Sequence, residues 1–589
     1  MVAKPTAAKL KQPAPRFVDS SAPSPLDVES GTVRIAKNSP RRLPLFGTSP
    51  EILVETAVEL FSRQHEHDGL DAKDRYYRNL IPLEKPGPGE QYAFQVDLDA
   101  CTGCKACVTA CHVMNGLDEG ETFRSVGLLL GGPPDAPVKQ TVTSACHHCV
   151  EPACLAGCPV GAYEKSPLTG IVKHLDDQCI GCQYCTLMCP YDVPKYNEAR
   201  GIVRKCDMCS DRLAHDEAPA CVDACPNDAI SIRTVSQASA ISAADAGVFL
   251  PGVASPKITL PTSVYSSIEA MPSSVLPADY YRSTPGHWHV PLMVMLTLTQ
   301  LSTGTFGLAL VSQHFTARLA GDPLWSTAFA GAVTLVALIA SLFHLGRPAL
   351  AWRVVLGLRT SWLSREALAF GLFFKALLVC TALDACGVVG WLGPALRALP
   401  GGAQLIAAHS TVQLVTAAAG LLGVYCSVMV YVATKRAQWS GILTGFKFFG
   451  TTLVLGAAGV LLLVALGVGP ARGFGSEARA LAGCVSVVAA IKLALEGAML
   501  RDASARQHSA RKQMAGVMLG ALRTVTGLRF GAGSTGIAFA LLLSSGWLSE
   551  RLVAPAAAIV LVALGAGELL ERGLFFSASP TLRMPGGAS

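Results

Sequence analysis

The chain has 589 residues, a hydrophobic fraction of 51%, a charged fraction of 15% and a net charge of +6. Soluble proteins carry nearer a quarter of charged residues, so this composition indicates membrane segments. The modest charge, and the lack of any basic patch interleaved with aromatic residues, argue against nucleic acid as a partner.

The first 90 residues are predicted to be a disordered arm with one short amphipathic helix. Residues 1 to about 46 are rich in Pro, Ser, Ala and Lys and have no apolar periodicity. Residues 50–65 carry apolar side chains at helical spacing. Arg41 and Arg42 form a twin arginine, but an acidic helix follows them where an export signal needs an apolar run. We therefore expect no export signal in this arm.

Residues 91–234 contain the cysteine motifs, because sixteen of the twenty cysteines lie between Cys101 and Cys225. Disulfide scaffolds are usually short secreted chains, so metal binding is the better interpretation. Short β-like runs lie beside the motifs at 92–97, 170–174 and 229–232. The predicted fold is a small α+β, ferredoxin-like domain in which metal replaces a large core.

The sixteen cysteines form four groups of four. These are Cys101, Cys104, Cys107 and Cys111; Cys146, Cys149, Cys154 and Cys158; Cys179, Cys182, Cys185 and Cys189; and Cys206, Cys209, Cys221 and Cys225. The third group, with Pro190, matches the bacterial run C-x2-C-x2-C-x3-C-P, in which three thiolates bind one cubane and the fourth binds its neighbour. We expect the fourth cysteine to begin a helix, and the proline that follows Cys158, Cys189 and Cys225 suits the first position of such a helix.

Zinc is the alternative metal, since the group that starts at Cys206 could form a zinc site by itself. The groups that start at Cys101 and Cys179 have the cubane pattern instead. Cys182 stands where another residue would indicate a three-iron cluster. The sixteen thiolates therefore predict four [4Fe–4S] clusters and electron transfer. The other four cysteines are expected to be small buried hydrophobes in apolar helices: Cys380, Cys386, Cys426 and Cys484.

Residues 235–286 are rich in Ser, Ala and Pro and are predicted to be a linker that lies along the cluster domain. Beyond it, eight apolar stretches reach the roughly 20 residues needed to cross a bilayer. They are residues 289–311, 325–344, 366–390, 404–433, 446–468, 478–500, 531–548 and 552–570. The sequence thus predicts an all-α bundle of eight transmembrane helices over 287–575 and a tail over 576–589.

Several segments resemble the dimethyl sulfoxide reductase family of molybdenum enzymes. The four-cluster subunit of that family is similar in Cys179-Ile-Gly-Cys-Gln-Tyr-Cys, Cys189-Pro-Tyr-Asp-Val-Pro and Arg204-Lys-Cys-Asp-Met-Cys. Its membrane anchor subunit is similar in Phe343-His-Leu-Gly-Arg-Pro and Ser361-Trp-Leu-Ser-Arg-Glu. The resemblance covers about residues 90–575. This chain departs from it by joining two subunits that are commonly separate.

The resemblance implies that the first cysteine group pairs with the fourth and the second with the third, although spacing alone also allows the first to pair with the second. The implied ligand sets are Cys101, Cys104, Cys107 and Cys225; Cys206, Cys209, Cys221 and Cys111; Cys146, Cys149, Cys154 and Cys189; and Cys179, Cys182, Cys185 and Cys158. It further implies a separate catalytic subunit that holds molybdopterin. We recognise no molybdopterin site in this chain.

His344 is the first candidate for a quinone contact. Menaquinol or ubiquinol must release protons as well as electrons, and histidine titrates near neutral pH. His344 ends the second predicted span, where the chain returns to the cluster side, and the resemblance favours this role over a helix-end histidine facing headgroups. Arg347, Arg353, Arg359, Arg365 and Glu366 cluster in the loop that follows, and some of them are expected to pair with the cluster domain or with lipid headgroups. Arg365 and Glu366 could also orient the quinone.

Ionisable residues within the spans are costly in lipid and are candidates for pairing or proton conduction. They are Lys375, Asp384, Lys492, Glu496 and Glu568. Lys492 and Glu496 are four residues apart, which predicts a helix ion pair. His409 and Gln413 have the same spacing and are expected to hydrogen-bond between helices.

The distribution of charge predicts the orientation in a prokaryotic plasma membrane. Fifteen Lys and Arg lie in loops and helix ends on the face of the cluster domain, against five on the opposite face. The positive-inside rule then places the clusters in the cytoplasm, whereas export-dependent members of the family place them outside.

The sequence therefore favours electron transfer from membrane quinol to a catalytic subunit in anaerobic respiration. One alternative is a quinone-reducing subunit of a formate or sulfur-compound dehydrogenase. The other is a metal-stapled scaffold with no redox role.

Overall fold

The structure is a computed structural model that describes residues 77, 79–272, 274–315, 323–468, 474–579 and 583–586, together with two strands near the N-terminus. Those strands, β1 (Leu26–Glu29) and β2 (Thr32–Ile35), pair antiparallel. The helix predicted over 50–65 and the rest of the predicted arm lie outside the described residues. Two compact units divide the chain at Tyr76 and Tyr77, and all remaining elements belong to the second unit.

The cysteine-rich region consists of short strands and short helices. In chain order these are β3 (Glu90–Asp97), α1 (Ala106–Met114), β4 (Ser125–Gly131), β5 (Val138–Ser144), α2 (Ala153–Gly157), β6 (Tyr163–Lys165), β7 (Val172–His174), α3 (Tyr184–Met188), β8 (Lys195–Asn197), β9 (Ile202–Arg204), α4 (Ser210–Ala214), α5 (Ala220–Asp223) and β10 (Ile230–Ser236). Strands β3, β7 and β10 lie on the three runs predicted to be β-like. The α+β prediction for this region is confirmed.

Residues of the predicted linker contribute to the sheets of the cluster domain. Helix α6 (Gln237–Asp245) follows β10, and two short strands come next, β11 (Val264–Ser266) and β12 (Leu276–Pro277). The first sheet has the order β10-β3-β11, and the second has the order β12-β4-β5. The domain therefore extends past residue 234. Composition does not reveal this because strands of two or three residues are held by backbone hydrogen bonds rather than by a side-chain pattern.

In the second and third motifs the fourth cysteine follows the end of a helix rather than beginning one, whereas Cys111 lies inside α1. Helix α2 stops at Gly157 before Cys158 and Pro159, and α3 stops at Met188 before Cys189. Cys158 (φ −67°, ψ 120°) and Cys189 (φ −78°, ψ 119°) are both extended. The predicted helix start was wrong because the residue before a proline is excluded from the helical region.

The C-terminal half contains eight helices long and apolar enough to cross a membrane among the described residues. They are α7 (Val290–Phe315), α8 (Pro323–Leu342), α9 (Trp362–Ala385), α12 (His409–Val432), α13 (Gly441–Ala465), α14 (Ser476–Leu500), α16 (Arg523–Ser545) and α17 (Glu550–Ser577), with the shorter α10 (Leu392–Arg397), α11 (Gly402–Ala407) and α15 (Ala510–Leu519) between them. The eight-helix prediction is confirmed.

A network of buried charges joins the last spans. Arg529 of α16 donates to both carboxylate oxygens of Glu496 at 2.9 and 3.0 Å, and to Glu568 of α17 at 3.1 Å. Lys492 also pairs with Glu568 and lies 3.8 Å from Glu496. The predicted pair of Lys492 and Glu496 is thus part of a larger interhelical network. Breaking one partner of such a network leaves a buried charge uncompensated, which costs about 3–5 kcal/mol.

The network continues through α13. Lys447 pairs with Glu571 at 2.8 Å, and Arg572 pairs with the same carboxylate. Arg572 also donates to Gln300 of α7 at 2.9 Å. The predicted start of the seventh span at residue 531 was too late, because α16 begins at Arg523 and includes Arg529, whose partners lie on other helices. The fifth span also begins earlier than predicted, at Gly441.

Other polar residues of the spans divide into paired and exposed ones. Asp384 pairs with His409 of the neighbouring span at 2.8 Å. Lys375 lies exposed on the surface of α9. Of the four cysteines expected to be buried, Cys380 and Cys426 are buried and Cys386 is half-buried, but Cys484 is exposed on the bundle surface.

Helices α7 and α13 cross with their backbones in contact. A methyl group on Gly304 would overlap the carbonyl oxygen of Thr452, and it would lie 2.8 Å from the Cα of Gly456. Small residues permit such close approach between helices in lipid. Three residues further along α7, Gly307 has no heavy atom within 4 Å of the same position.

Replacing Gly304 by alanine should separate α7 from α13 and destabilise the bundle. We expect a loss of about 1–3 kcal/mol, the usual cost of forcing atoms into a packed interior. Thermal unfolding of the detergent-solubilised protein measures it. Gly307→Ala makes the same chemical change in open space and is the control. Equal melting temperatures for the two variants would contradict the crossing.

Candidate iron–sulfur and quinone sites

Strand pairing brings the first and last cysteine motifs together. Strand β3 leads directly into Cys101, and β10 follows directly after Cys225. Because Val96 pairs with Ile230 in the antiparallel ladder, both cysteines lie at the same end of the sheet. The ends of the motif region thus meet, although Cys101 and Cys225 are far apart in the chain.

Three hairpins order the motifs between these ends. The β6–β7 hairpin separates the second motif from the third, and its antiparallel pairing returns the chain from Cys158 to Cys179. The β4–β5 hairpin does the same for Cys111 and Cys146, and the β8–β9 hairpin does so for Cys189 and Cys206. Each motif therefore begins close to where the previous one ends.

The thiols gather in nested sets. One small cavity is lined by Cys101, Cys104, Cys107 and Cys225, and another by Cys146, Cys149, Cys154 and Cys189. Cys111 interacts electrostatically with Cys221 and Cys209, and Cys158 interacts with Cys179. None of the twenty cysteines, all of which lie within the described residues, forms a disulfide. Four thiols around a shared space fit the thiolate ligands that a cubane requires.

The loops also direct backbone N–H groups at sulfur. Residues with positive φ, such as Lys105 (64°) and Gln183 (57°), precede the short helices of the first and third motifs. Such loops turn successive N–H groups inward and form a concave site for an anion. Backbone N–H groups donate to Sγ at four cysteines of the second, third and fourth motifs: Ala162 to Cys158 (3.2 Å), Gly181 to Cys179 (3.4 Å), Met208 to Cys206 (3.4 Å) and Ala229 to Cys225 (3.3 Å).

Side chains from the loops of the bundle bind carbonyl groups of the cluster domain. Arg347 donates to the carbonyl oxygen of Asp176 at 2.7 Å, and Arg353 donates to that of Asp177 at 3.0 Å. Ser361 donates to Gly157 at 2.8 Å. The expected contact between the arginine-rich loop and the cluster domain is confirmed for Arg347 and Arg353.

A cavity of about 450 Å³ lies where the third motif meets the bundle. Cys182 and Tyr184 line it from the cluster domain, and His289, His344 and Glu366 line it from the membrane helices. Most of the remaining wall is formed by aliphatic side chains, from α7, α8 and α9 and from neighbouring segments. Its size and its few convergent polar groups are typical of a site for an apolar small molecule.

His344 and His289 form the polar end of this cavity. Their ring centroids lie 5.4 Å apart, with the rings nearly perpendicular at 85°. Burial, and secondarily the neighbouring His289, lowers the pKa of His344 to about 4. The imidazole is therefore neutral near pH 7, with one ring nitrogen that can donate a hydrogen bond and one that can accept.

Glu366 and Arg365, adjacent in sequence, have different surroundings. The Glu366 side chain is buried, lines the cavity and accepts a hydrogen bond from Ser427 of α12. The Arg365 guanidinium lies 4.3 Å from the ring centroid of Trp362 and donates to the carbonyl oxygens of Leu358 and Arg359. Arg365 does not line the cavity, because successive residues on a helix point about 100° apart.

Two cavity residues were missed from the sequence. His289 belongs to a His-Trp-His run immediately before the first span, and this run was a visible signal. Tyr184 lies between ligand cysteines and donates its hydroxyl to the carbonyl oxygen of Val430 at 2.7 Å. No local pattern shows that it reaches a membrane helix, since the contact joins residues 246 positions apart.

Comparison with known proteins agrees with this division. Residues 138–235 match the family model of the 4Fe-4S dicluster domain, and residues 284–578 match that of the DMSO reductase anchor subunit (DmsC). The B subunit of the anaerobic dimethyl sulfoxide reductase of Escherichia coli K12 is 39% identical over 155 residues, which are 25% of this chain and 75% of that protein.

Relatives from other complexes match a similar share of the chain. The thiosulfate reductase electron transfer subunit PhsB of Salmonella typhi is 39% identical over 145 residues, 24% of this chain and 74% of that protein. The hydrogenase-2 operon protein HybA of Escherichia coli O157:H7 is 37% identical over 165 residues, 23% of this chain and 50% of that protein. The protein belongs to the dimethyl sulfoxide reductase family, and it joins in one polypeptide the [4Fe–4S] electron-transfer region of the B-subunit type and an integral membrane anchor of the DmsC type.

Proposed function

We propose that this chain carries electrons between a membrane quinol and a separate catalytic subunit through four [4Fe–4S] clusters. The observation that carries the proposal is the cavity between the two halves of the chain. Cys182, a cluster ligand in the proposed assignment, lines the same cavity as His344 and Glu366. A quinone headgroup held there would lie next to a cluster, with its apolar tail among the aliphatic side chains.

The proposed ligand sets are the nested ones. In this proposal the hairpins arrange the four clusters in a linear electron-transfer chain. From the cavity the order is the set with Cys182, the set with Cys146, the set with Cys206 and the set with Cys101. At the far end Cys104 is exposed and Cys101 is half-exposed, so this set lies near the protein surface. The catalytic subunit, which would hold molybdopterin, docks at this end.

His344 and Glu366 have complementary roles in the proposed site. The neutral imidazole of His344 holds one quinol hydroxyl and can take its proton. Glu366, buried and held by Ser427, is placed to accept a proton within the cavity. Aliphatic walls exclude water and accommodate an isoprenoid tail.

Quinol oxidation is the favoured direction, with an S-oxide or N-oxide reduced by the partner. The likeness to the B subunit of a dimethyl sulfoxide reductase and to an electron transfer subunit of a thiosulfate reductase supports it. Reverse flow, from a dehydrogenase partner to quinone, is the second candidate. The likeness to a hydrogenase-2 operon protein favours that candidate.

The proposed orientation has the cluster domain in the cytoplasm of a prokaryotic cell. Three of the fifteen basic residues counted on its face, Lys447, Arg529 and Arg572, are buried and paired with glutamates inside the bundle. Fifteen minus these three leaves twelve, against five on the opposite face. The asymmetry required by the positive-inside rule is retained.

The nested ligand sets predict which cysteines share a spectroscopic signal. Cys225→Ser should abolish or convert the same electron paramagnetic resonance signal as Cys101→Ser, because both residues bind one cluster. Cys158→Ser should abolish or convert the same signal as Cys179→Ser. Loss of a common signal in Cys158→Ser and Cys101→Ser would instead show that the first motif pairs with the second.

Removal of the proposed headgroup contacts should slow reduction of the clusters by quinol. His344→Ala and Glu366→Gln should each lower this rate by about tenfold or more, since a lost hydrogen bond to a reacting group costs at least about 1.4 kcal/mol. Anaerobic stopped-flow absorbance with a reduced quinone analogue measures the rate, and iron content should not change.

Arg365→Gln is the matched control for these variants. Its rate should stay within about twofold of the wild-type rate, because its side chain lies outside the cavity. A rate as low as that of Glu366→Gln would show that the headgroup lies elsewhere. Absence of quinol-dependent reduction in the wild-type protein would refute the function itself.

Protease treatment of membranes tests the orientation. The cluster domain should be protected in spheroplasts and cleaved in inverted vesicles, because the denser positive charge keeps its face in the cytoplasm. Immunoblotting of that domain reports the result. Cleavage in spheroplasts and protection in inverted vesicles would place it on the outer face.

A further inference from the structure

Two cations are buried among the cysteine motifs with no carboxylate partner. Arg124, immediately before β4, is 2% exposed, and Lys205, immediately after β9, is 5% exposed. Neither forms an ion pair with an acidic side chain in the part of the chain that the structure describes. An unpaired charge buried in a protein is costly, so an opposite charge must lie close by.

The Arg124 guanidinium lies between the first and fourth motifs. Its Nη1 donates to Thr143 Oγ1 at 3.1 Å, and that hydroxyl lies 3.5 Å from Cys107 Sγ. Its carbon lies 4.6 Å from the ring centroid of Phe94. The Nε and Nη2 atoms are buried and have no hydrogen-bond partner among the residues that the structure describes.

Thiolate charge, rather than carboxylate charge, surrounds this side chain. Burial alone would lower the pKa of Arg124, but thiolates raise it above its ordinary value. The thiolates that act on it are those of Cys221, Cys107, Cys206 and Cys111. In the proposed assignment they belong to two clusters, the Cys101 set and the Cys206 set.

Lys205 has the same relation to the next pair of clusters. Its ammonium group donates to the carbonyl oxygens of Val172 and Cys206. Lys205 directly precedes Cys206 in the chain, and it lines the same small cavity as Cys146 and Cys154. These cysteines belong to the Cys146 set and the Cys206 set.

A cubane with four thiolate ligands is an anion, and reduction adds one electron and one further negative charge without making or breaking a bond in the protein. A fixed cation nearby stabilises the reduced form more than the oxidised form. Net charge and burial around a cluster are among the factors that set its potential. Inside the protein the effect is strong because little water screens it.

We propose that Arg124 and Lys205 are fixed counter-charges that raise the reduction potentials of three of the four clusters. The inference rests on the proposed four-cluster function. Arg124 acts on the Cys101 and Cys206 sets, and Lys205 acts on the Cys206 and Cys146 sets. The set that contains Cys182, next to the cavity, is the one on which neither cation acts. Because the other three reduction potentials are raised, transfer of an electron from the cluster next to the cavity to these clusters becomes more favourable.

Anaerobic redox titration with dithionite, followed by electron paramagnetic resonance, tests this in the full-length protein with its copurifying subunit. Arg124→Met should lower two of the four midpoint potentials, and Lys205→Met should also lower two. One signal, that of the Cys206 set, should shift in both variants. The signal lost in Cys182→Ser should shift in neither.

Two further variants separate charge from shape and from mere proximity. Arg124→Lys keeps the positive charge and should keep the potentials near their wild-type values. Lys105→Met removes an exposed cation between two ligand cysteines, and its potentials should scarcely change because water screens that charge. If the midpoint potentials shifted as much in Lys105→Met as in Arg124→Met, burial of the cation would not be the cause of its effect, and the proposal would be contradicted.

Failure of the counter-charge role and failure of the proposed electron-transfer function give different results. Unchanged potentials in Arg124→Met and Lys205→Met, with full iron content, would refute the counter-charge role and leave the electron path standing. Iron loss in Arg124→Met but not in Arg124→Lys would support it, since the cation would then be needed to hold an anion. Iron loss in both Arg124 variants would count against it. A wild-type protein without four reducible clusters would refute the function itself.

Discussion

The insertion of the third cysteine motif against the membrane helices is the contact on which the electron path depends. Tyr184 donates to a carbonyl group of α12, and α3, the helix that it begins, packs into the same hydrophobic core as α7, α9 and α12. Arg347 and Arg353 donate hydrogen bonds to the carbonyl oxygens of Asp176 and Asp177 and hold that segment in place. Cys182, a proposed cluster ligand, thereby lines one cavity with the titratable side chains of His344 and Glu366. Separation of the two halves by even a few ångströms would remove this shared site.

Buried positive charges have different neighbours in the two halves of the protein. In the bundle, Arg529 is compensated by the carboxylates of Glu496 and Glu568. In the cluster domain, Arg124 and Lys205 have thiolates as their anionic neighbours. The first arrangement holds helices together permanently. In our proposal the second arrangement couples the charge of these two cations to the charge of the clusters.

The sequence predicts the chemistry of this protein better than its geometry. Cysteine spacing indicates cubanes, and apolar length indicates eight spans, because both signals are local in the chain. The cavity was anticipated only through His344 and Glu366, since Tyr184, His289 and Val430 come together from distant segments. Strands β11 and β12 escaped detection because they are too short to carry a pattern. Arg124 and Lys205 resemble any other basic residue until the structure shows what surrounds them.

The most direct test of the account is whether a quinone analogue perturbs a cluster. An inhibitor that occupies the cavity should change the electron paramagnetic resonance line shape of one cluster, the same one that Cys182→Ser removes. His344→Ala should weaken the change, because it removes a side chain that lines the cavity. A change confined to the cluster of Cys101 and Cys104, or no change at saturating inhibitor, would contradict the placement of the quinone site between the two halves of the protein.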